Sequence, residues 1–222
     1  MTTAFPALKL LIVEDEEKKL VEWRDAVTAH NADADRTGFS LDIVTSRTIS
    51  DAKRQLDVYR FDAAVIDLRL QVEEGVTENN SHGNDLVRHI IAVQPLGVAI
   101  YTGQQGDAEI DSYECPQVKV MDKGDGLEQV FTWLSENKDV FLRLRGAKNA
   151  FNRETAKMFF RSIWPRWQHW TAAGMEEQAL TDVVARHVVA HVHDSMLNTG
   201  GGLTHPEESY FVPPPEKQTR YR

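Results

Sequence analysis

Cysteine is almost missing from this sequence: Cys115 stands alone among 222 residues, so no disulfide can form within the chain. Such usage is compatible with a reducing compartment. Standing before Pro116, that thiol is read as an inert loop residue. No apolar run approaches the length of a membrane span. The opening Met-Thr-Thr-Ala-Phe-Pro has no basic segment leading into an apolar stretch, so no signal peptide is expected and a cytoplasmic location is. Positive charge is scarce in the first two thirds. Residues 1–144 hold 15 Lys and Arg against 26 Asp and Glu, a net −11, which argues against nucleic-acid binding there. Residues 145–222 hold 10 against 8, a net +2, with five of the eight His and three of the five Trp. That shift divides the chain into two units, and 41% hydrophobic with 27% charged residues is ordinary for a globular protein.

What is present is a series of short apolar runs. Leu8–Val13 reads as a buried strand running into Glu14-Asp15-Glu16, followed by a helix over about Glu17–His30 with Leu20, Trp23 and Val27 on one stripe. After a polar loop, Asn31–Gly38, a second strand covers Ser40–Thr45. Thr48 or Ser50 then caps a helix carrying Ala52 and Leu56. The run Ala63-Ala64-Val65-Ile66-Asp67-Leu68-Arg69-Leu70 is a third strand, apolar up to the carboxylate it delivers to the sheet's carboxyl edge. Gln71–His82 reads as an irregular loop, and Asn84 or Ser81 starts a helix over Leu86–Val93 that Pro95 terminates. Leu96–Tyr101 is a fourth strand ending in Thr102-Gly103, and Gln104–Glu114 is expected as a short or mobile helix. Gln117–Met121 is a fifth strand ending in Asp122-Lys123-Gly124, and a long amphipathic helix runs from near Asp125 towards Leu144.

Strands alternating with helices at this spacing predict an α/β fold, a doubly wound parallel sheet. Right-handed crossovers bring the ends of strands one and three together, so Glu14, Asp15 and Asp67 meet, with Thr102 and Lys123 arriving from neighbouring strand ends. Three carboxylates at one point repel one another unless a cation joins them. An oxygen-only donor set favours a hard ion, Mg²⁺ with retained waters. Lys123 cannot ligate a metal, but it can pair with a carboxylate or a phosphoryl oxygen, and the Thr102 hydroxyl can donate to another. This is equipment for in-line phosphoryl transfer onto a carboxylate.

With those residues in place, the first unit resembles the receiver domains of two-component response regulators. The resemblance is carried by Leu-Ile-Val-Glu14-Asp15-Glu16, Val-Ile-Asp67-Leu-Arg-Leu, Gly83-Asn-Asp-Leu, Ile-Tyr-Thr102-Gly and Met-Asp-Lys123-Gly, in order over about residues 8–144. It implies the strand order 2-1-3-4-5 and Asp67 as acceptor of a phosphoryl group from a histidine kinase or phosphotransfer protein. It further implies Mg²⁺ bound by Asp15, Asp67 and the Arg69 backbone carbonyl with Glu14 assisting through water, and Thr102 and Lys123 on the phosphoryl group. No activity is implied beyond accepting and hydrolysing that group. Three departures stand out. Gly124 replaces the usual proline, so a looser turn is expected; Val120 replaces a frequent aromatic residue; and the 71–82 loop, with Glu73, Glu74 and Glu78, is about eight residues longer than the family pattern. That loop is expected to overhang the acidic site.

The second unit resembles no family. A helical region, 145–198, is expected as two helices, Gly146–Trp170 and about Met175–Leu197, followed by a Gly/Pro-rich tail, 199–222. Phe151, Met158, Phe159, Ile163, Trp164, Trp167 and Trp170 form a broad face broken by Pro165, read as packing against a helix or a second subunit, possible as a homodimer. Lys157, Arg161 and Arg166 interleave with it, so a nucleic-acid output through 151–170 is the minor alternative. His187, His191 and Asp194 share a helical face, and a receiver-controlled metal-dependent hydrolase is the other alternative; a satisfied histidine cluster is the reading preferred.

Overall fold

Five runs of aliphatic residues pair into one sheet: β1 (Ala7–Val13), β2 (Ser40–Ser46), β3 (Ala63–Ile66), β4 (Gly97–Thr102) and β5 (Val118–Asp122). Every pairing is parallel and the order is β2-β1-β3-β4-β5. The computed structural model describes residues 5–75, 77, 79–110, 115–172 and 177–198, with backbone only at 80, 162, 171, 177, 180 and 191–198. Those residues fall in two compact units, Met1–Gly146 and Ala147–Arg222.

Alternation along the strands divides the core of the first unit into two layers. Leu11, Val13, Ala64, Ile66, Val98 and Ile100 meet α3 (Ile49–Val58) and α4 (Asn80–Val93) on one face. Leu10, Ile12, Val65, Ala99 and Tyr101 meet α1 (Glu17–Ala32) and the start of α5 (Glu128–Met158) on the other. A strand with both faces covered has no polar side, which is why β3 and β4 are buried at every residue.

Several expected boundaries move. The third strand stops at Ile66, and Leu68 and Leu70 are buried in the turn that follows. An apolar run cannot by itself distinguish a strand from a buried turn. A short helix, α2 (Ala34–Thr37), occupies the loop expected at 31–38 and ends on Gly38 at φ +75°. Thr48, not Ser50, caps α3, its hydroxyl accepting the Asp51 N–H at 3.2 Å. Neither Ser81 nor Asn84 starts α4: Asn79 does, its side chain accepting the Ser81 N–H at 3.0 Å. The first part of the long loop lies beside α3, where the Gln71 and Val72 carbonyls accept the Ile49 and Ser50 N–H groups. Between β4 and β5 the described residues hold only a single 3₁₀ turn, Gln105–Asp107.

The two helices expected to meet near residue 145 are one. α5 passes through Gly146 without a break, because a lone glycine costs a helix only about 1 kcal/mol and its neighbours are good helix formers. In the second unit a π turn, Phe159–Ile163, separates that helix from α6 (Trp164–Ala172). Pro165 supplies the reason: without an N–H it cannot continue the i to i−4 ladder, and the Trp164 N–H bonds Phe159 instead. α7 (Glu177–Asn198) follows. Met158 and Ile163 are buried within this unit, whereas Phe151, Phe160, Trp164 and Trp167 are exposed.

Candidate functional site

The acidic cluster forms where three parallel strands run out together. Val13 closes β1 opposite Ile66, the last residue of β3, so the residues that follow them leave the sheet side by side. The Asp67 N–H still bonds the Val13 carbonyl at 3.0 Å, and the Glu14 N–H bonds Ser46 at 3.0 Å. Ligand atoms of Glu14, Asp15 and Asp67 lie within 4.8 Å of one another, the one such group among the described residues. At the neighbouring edge Thr102 pairs with Asp122, which puts Lys123 one step beyond the sheet. Its Nζ donates to Glu14 Oε2 at 2.7 Å and to Asp67 Oδ2 at 2.8 Å.

Taking carboxylates out of water is costly even where a cation pairs with them, and Lys123 reaches two of these three. Glu14, 2% exposed, shows the consequence: burial raises its pKa from 4.5 to about 7, against the lowering effect of its hydrogen bond to Lys123. Burial alone would push Lys123 down, but its hydrogen bonds to Asp67 and Glu14 outweigh that and hold it above its usual range. These carboxylates could hold a metal ion, and an all-oxygen donor set is of the kind that suits a hard ion such as Mg²⁺.

The remaining expected residues are placed less directly. Thr102 is buried, and its hydroxyl accepts the Gln104 N–H at 3.2 Å. Arg69 follows Asp67 with its side chain exposed, between buried Leu68 and Leu70. The turn after Lys123 is not loose: the Asp122 side chain accepts the Gly124 N–H at 2.7 Å, and the Gly126 N–H returns to the Lys123 carbonyl at 3.2 Å. Val120 is half-buried against the α3 and α4 layer. In the second unit His187 packs its ring on Trp170, with Nδ1 3.0 Å from the Val183 carbonyl; the side chains of His191 and Asp194 lie outside the described residues.

Arg47, Asp62 and Arg145 escaped the sequence reading, and Gly83 entered it only as part of the resemblance. Arg47 donates from Nε and Nη2 to the Asp15 carbonyl at 3.3 and 3.2 Å, steadying the β1–α1 turn. Its only sequence signal was a position just past β2. Gly83 packs against the backbone that carries Asp67: a Cβ there would sit 2.4 Å from Leu68 Cα and 2.6 Å from the Asp67 carbonyl oxygen. At the opposite end of the sheet, buried Asp62 accepts the Lys9 N–H at 2.7 Å and pairs with Arg145.

No family model matches the sequence. No curated protein matches it. Solved structures do. A receiver domain described as CheY-like from Methylobacillus flagellatus is 21% identical, with 58% of this chain and 98% of that one covered and a TM-score of 0.36. The non-phosphorylated HemR receiver domain from Leptospira biflexa is 22% identical, covering 58% and 92%, TM-score 0.42. The response regulator TrrA from Thermotoga maritima, solved in complex with Mg²⁺ and BeF, is 12% identical, covering 58% and 97%, TM-score 0.39. The second unit has no counterpart among these. No helix among the described residues is long and apolar enough to cross a membrane. With its all-parallel 2-1-3-4-5 order and helices on both faces, the first unit is a doubly wound α/β sheet of the flavodoxin-like order.

Proposed function

We propose that this chain is a phosphoacceptor in a histidine-kinase phosphorelay, with Asp67 as the residue esterified. The observation that supports it most is the convergence of Glu14, Asp15 and Asp67 within 4.8 Å, with Lys123 bonded to Glu14 and Asp67. Asp67 attacks the phosphorus of a phosphohistidine in line; the P–N bond breaks, the Asp67 O–P bond forms, and the leaving imidazole keeps its nitrogen lone pair and takes a proton from solvent. Asp15, Asp67 and the Arg69 carbonyl would hold Mg²⁺, with Glu14 reaching it through water. When bound, the ion neutralises charge on the phosphoryl oxygens. Lys123 shifts from sharing two carboxylates to pairing with the phosphoryl group, and the Thr102 hydroxyl donates to another of its oxygens. Later hydrolysis of the acyl phosphate resets the domain.

The second unit is the contact region of this proposal. Its exposed Phe160, Trp164 and Trp167 recur at i, i+4 and i+7 across the π turn, an arrangement suited to a partner helix or a second copy.

The test is incubation with acetyl phosphate and Mg²⁺, read by intact mass. Wild type gains the mass of one phosphate and Asp67→Asn does not. An unchanged wild-type mass under excess donor, or equal labelling of the variant, would remove the proposal.

A further inference from the structure

The first turn of α4 is joined to two loops at once. On one side it is sewn to the acceptor turn: the Gly83 N–H bonds the Leu68 carbonyl at 3.1 Å, and His82 Nδ1 lies 2.9 Å from the Leu70 carbonyl. The absence of a Cβ at Gly83 is what lets the helix come this close to Asp67 and Leu68. On the other side the next residue, Asn84, reaches the segment that follows Thr102. Its Nδ2 donates to the Asp107 carbonyl at 2.9 Å and its Oδ1 accepts the Glu109 N–H at 3.1 Å.

Asn84 is 1% exposed, so both bonds are made away from water, where an amide left unpaired would be costly. That pair of bonds does the work a helix would otherwise do. Between β4 and β5 the described residues offer one 3₁₀ turn, so the backbone at 107–109 borrows its partners from α4. A second tie, the exposed Arg88–Glu109 ion pair, lies on the same segment. Fixing 107–109 anchors the 3₁₀ turn from its far side, and the Asp107 N–H carries the tie back to the Gln104 carbonyl at 3.1 Å. The Thr102 hydroxyl, engaged with the Gln104 N–H, is thereby held at a set place at the end of β4.

Resting on the phosphoacceptor reading above, we infer that Asn84 is a positioning residue for phosphoryl capture: its side chain ties the Thr102 segment to the helix that carries the Asp67 turn. Both of these hydrogen bonds go to backbone beyond Thr102, and the effect of Asn84 passes through that residue. Placement errors of about 1 Å at a reacting group can cost up to a hundredfold in rate, so loss of one anchoring pair is expected to show clearly.

Four variants of the full chain carry the test: Asn84→Ala, Arg88→Ala, Thr102→Ala and the Asn84→Ala/Thr102→Ala double variant. The rate of mass gain with acetyl phosphate and the affinity for Mg²⁺ are measured for each. Asn84→Ala is expected to slow phosphorylation about tenfold with Mg²⁺ affinity within twofold of wild type. Arg88→Ala, removing only an exposed pair, should change the rate by less than about twofold. The double variant should be no slower than Thr102→Ala, because the effect of Asn84 passes through that hydroxyl. Additive losses, a parallel fall in Mg²⁺ affinity, or an Asn84→Ala rate within twofold of wild type would overturn the inference. Wild type that never takes up phosphate would instead refute the reading beneath it.

Discussion

Replacing Glu14 by Gln should make the metal-free protein more stable at neutral pH, although it removes a buried partner of Lys123. The carboxyl ionises near 4.5 in the unfolded chain and near 7 when folded, so between those values the folded state binds more protons than the unfolded one. Stability therefore falls as pH rises from about 4.5 to about 7 and is level above that. The rise from 4.5 to about 7, at 1.36 kcal/mol per pH unit, amounts to about 3 kcal/mol lost by wild type at pH 8 relative to pH 4. Gln mimics the protonated form and escapes the loss; the hydrogen bond Lys123 donates to Glu14 at 2.7 Å is already contained in the folded value of about 7. The net gain at pH 8 is about 3 kcal/mol. Urea unfolding followed by far-UV circular dichroism reads it: with a slope of roughly 2 kcal/mol/M, the midpoint of the variant should lie about 1.5 M higher at pH 8 and match wild type near pH 4. Mg²⁺ should narrow the gap at pH 8, since a divalent cation supplies the charge balance that protonation otherwise provides. A variant less stable than wild type at pH 8, or one with an unchanged pH slope, would refute the reasoning that the Glu14 carboxylate is held at this edge against the cost of its burial.

Other residues give sharper structural tests. Gly83→Ala puts a Cβ 2.4 Å from backbone that cannot yield, so a loss of about 2–3 kcal/mol in urea unfolding is expected, together with impaired Asp67 phosphorylation; a loss under about 0.5 kcal/mol would mean α4 does not sit against that turn. Arg145→Ala leaves the Asp62 carboxylate buried with only the Lys9 N–H; because Arg145 is itself partly exposed, about 1–2 kcal/mol is expected by the same measurement. Asn31→Ala removes two hydrogen bonds to the Leu41 backbone at the outer edge of β2, of 2.9 and 2.7 Å. About 1–2 kcal/mol should be lost, and the Leu41 amide should exchange faster by hydrogen-exchange mass spectrometry.

The sequence by itself settled those features that rest on local chemistry. Runs such as Leu10-Leu11-Ile12-Val13 and Val98-Ala99-Ile100 have no polar side, and only a strand covered on both faces accommodates them; alternation with helices then sets a parallel sheet. The acidic cluster was legible for the same reason, since strand ends in such a sheet share one edge and Glu14, Asp15, Asp67 and Lys123 each stand one or two residues past a strand. Packing decided the rest. Asn84 carries the side chain of a helix start, and only the position of the 107–109 backbone shows it to be an anchor inside the helix. Gly146 looks like a boundary, yet its good helix-forming neighbours carry α5 through it. Gly83 and Arg145 act on residues 15 and 83 positions away, distances over which composition and periodicity hold no information and tertiary contact holds all of it.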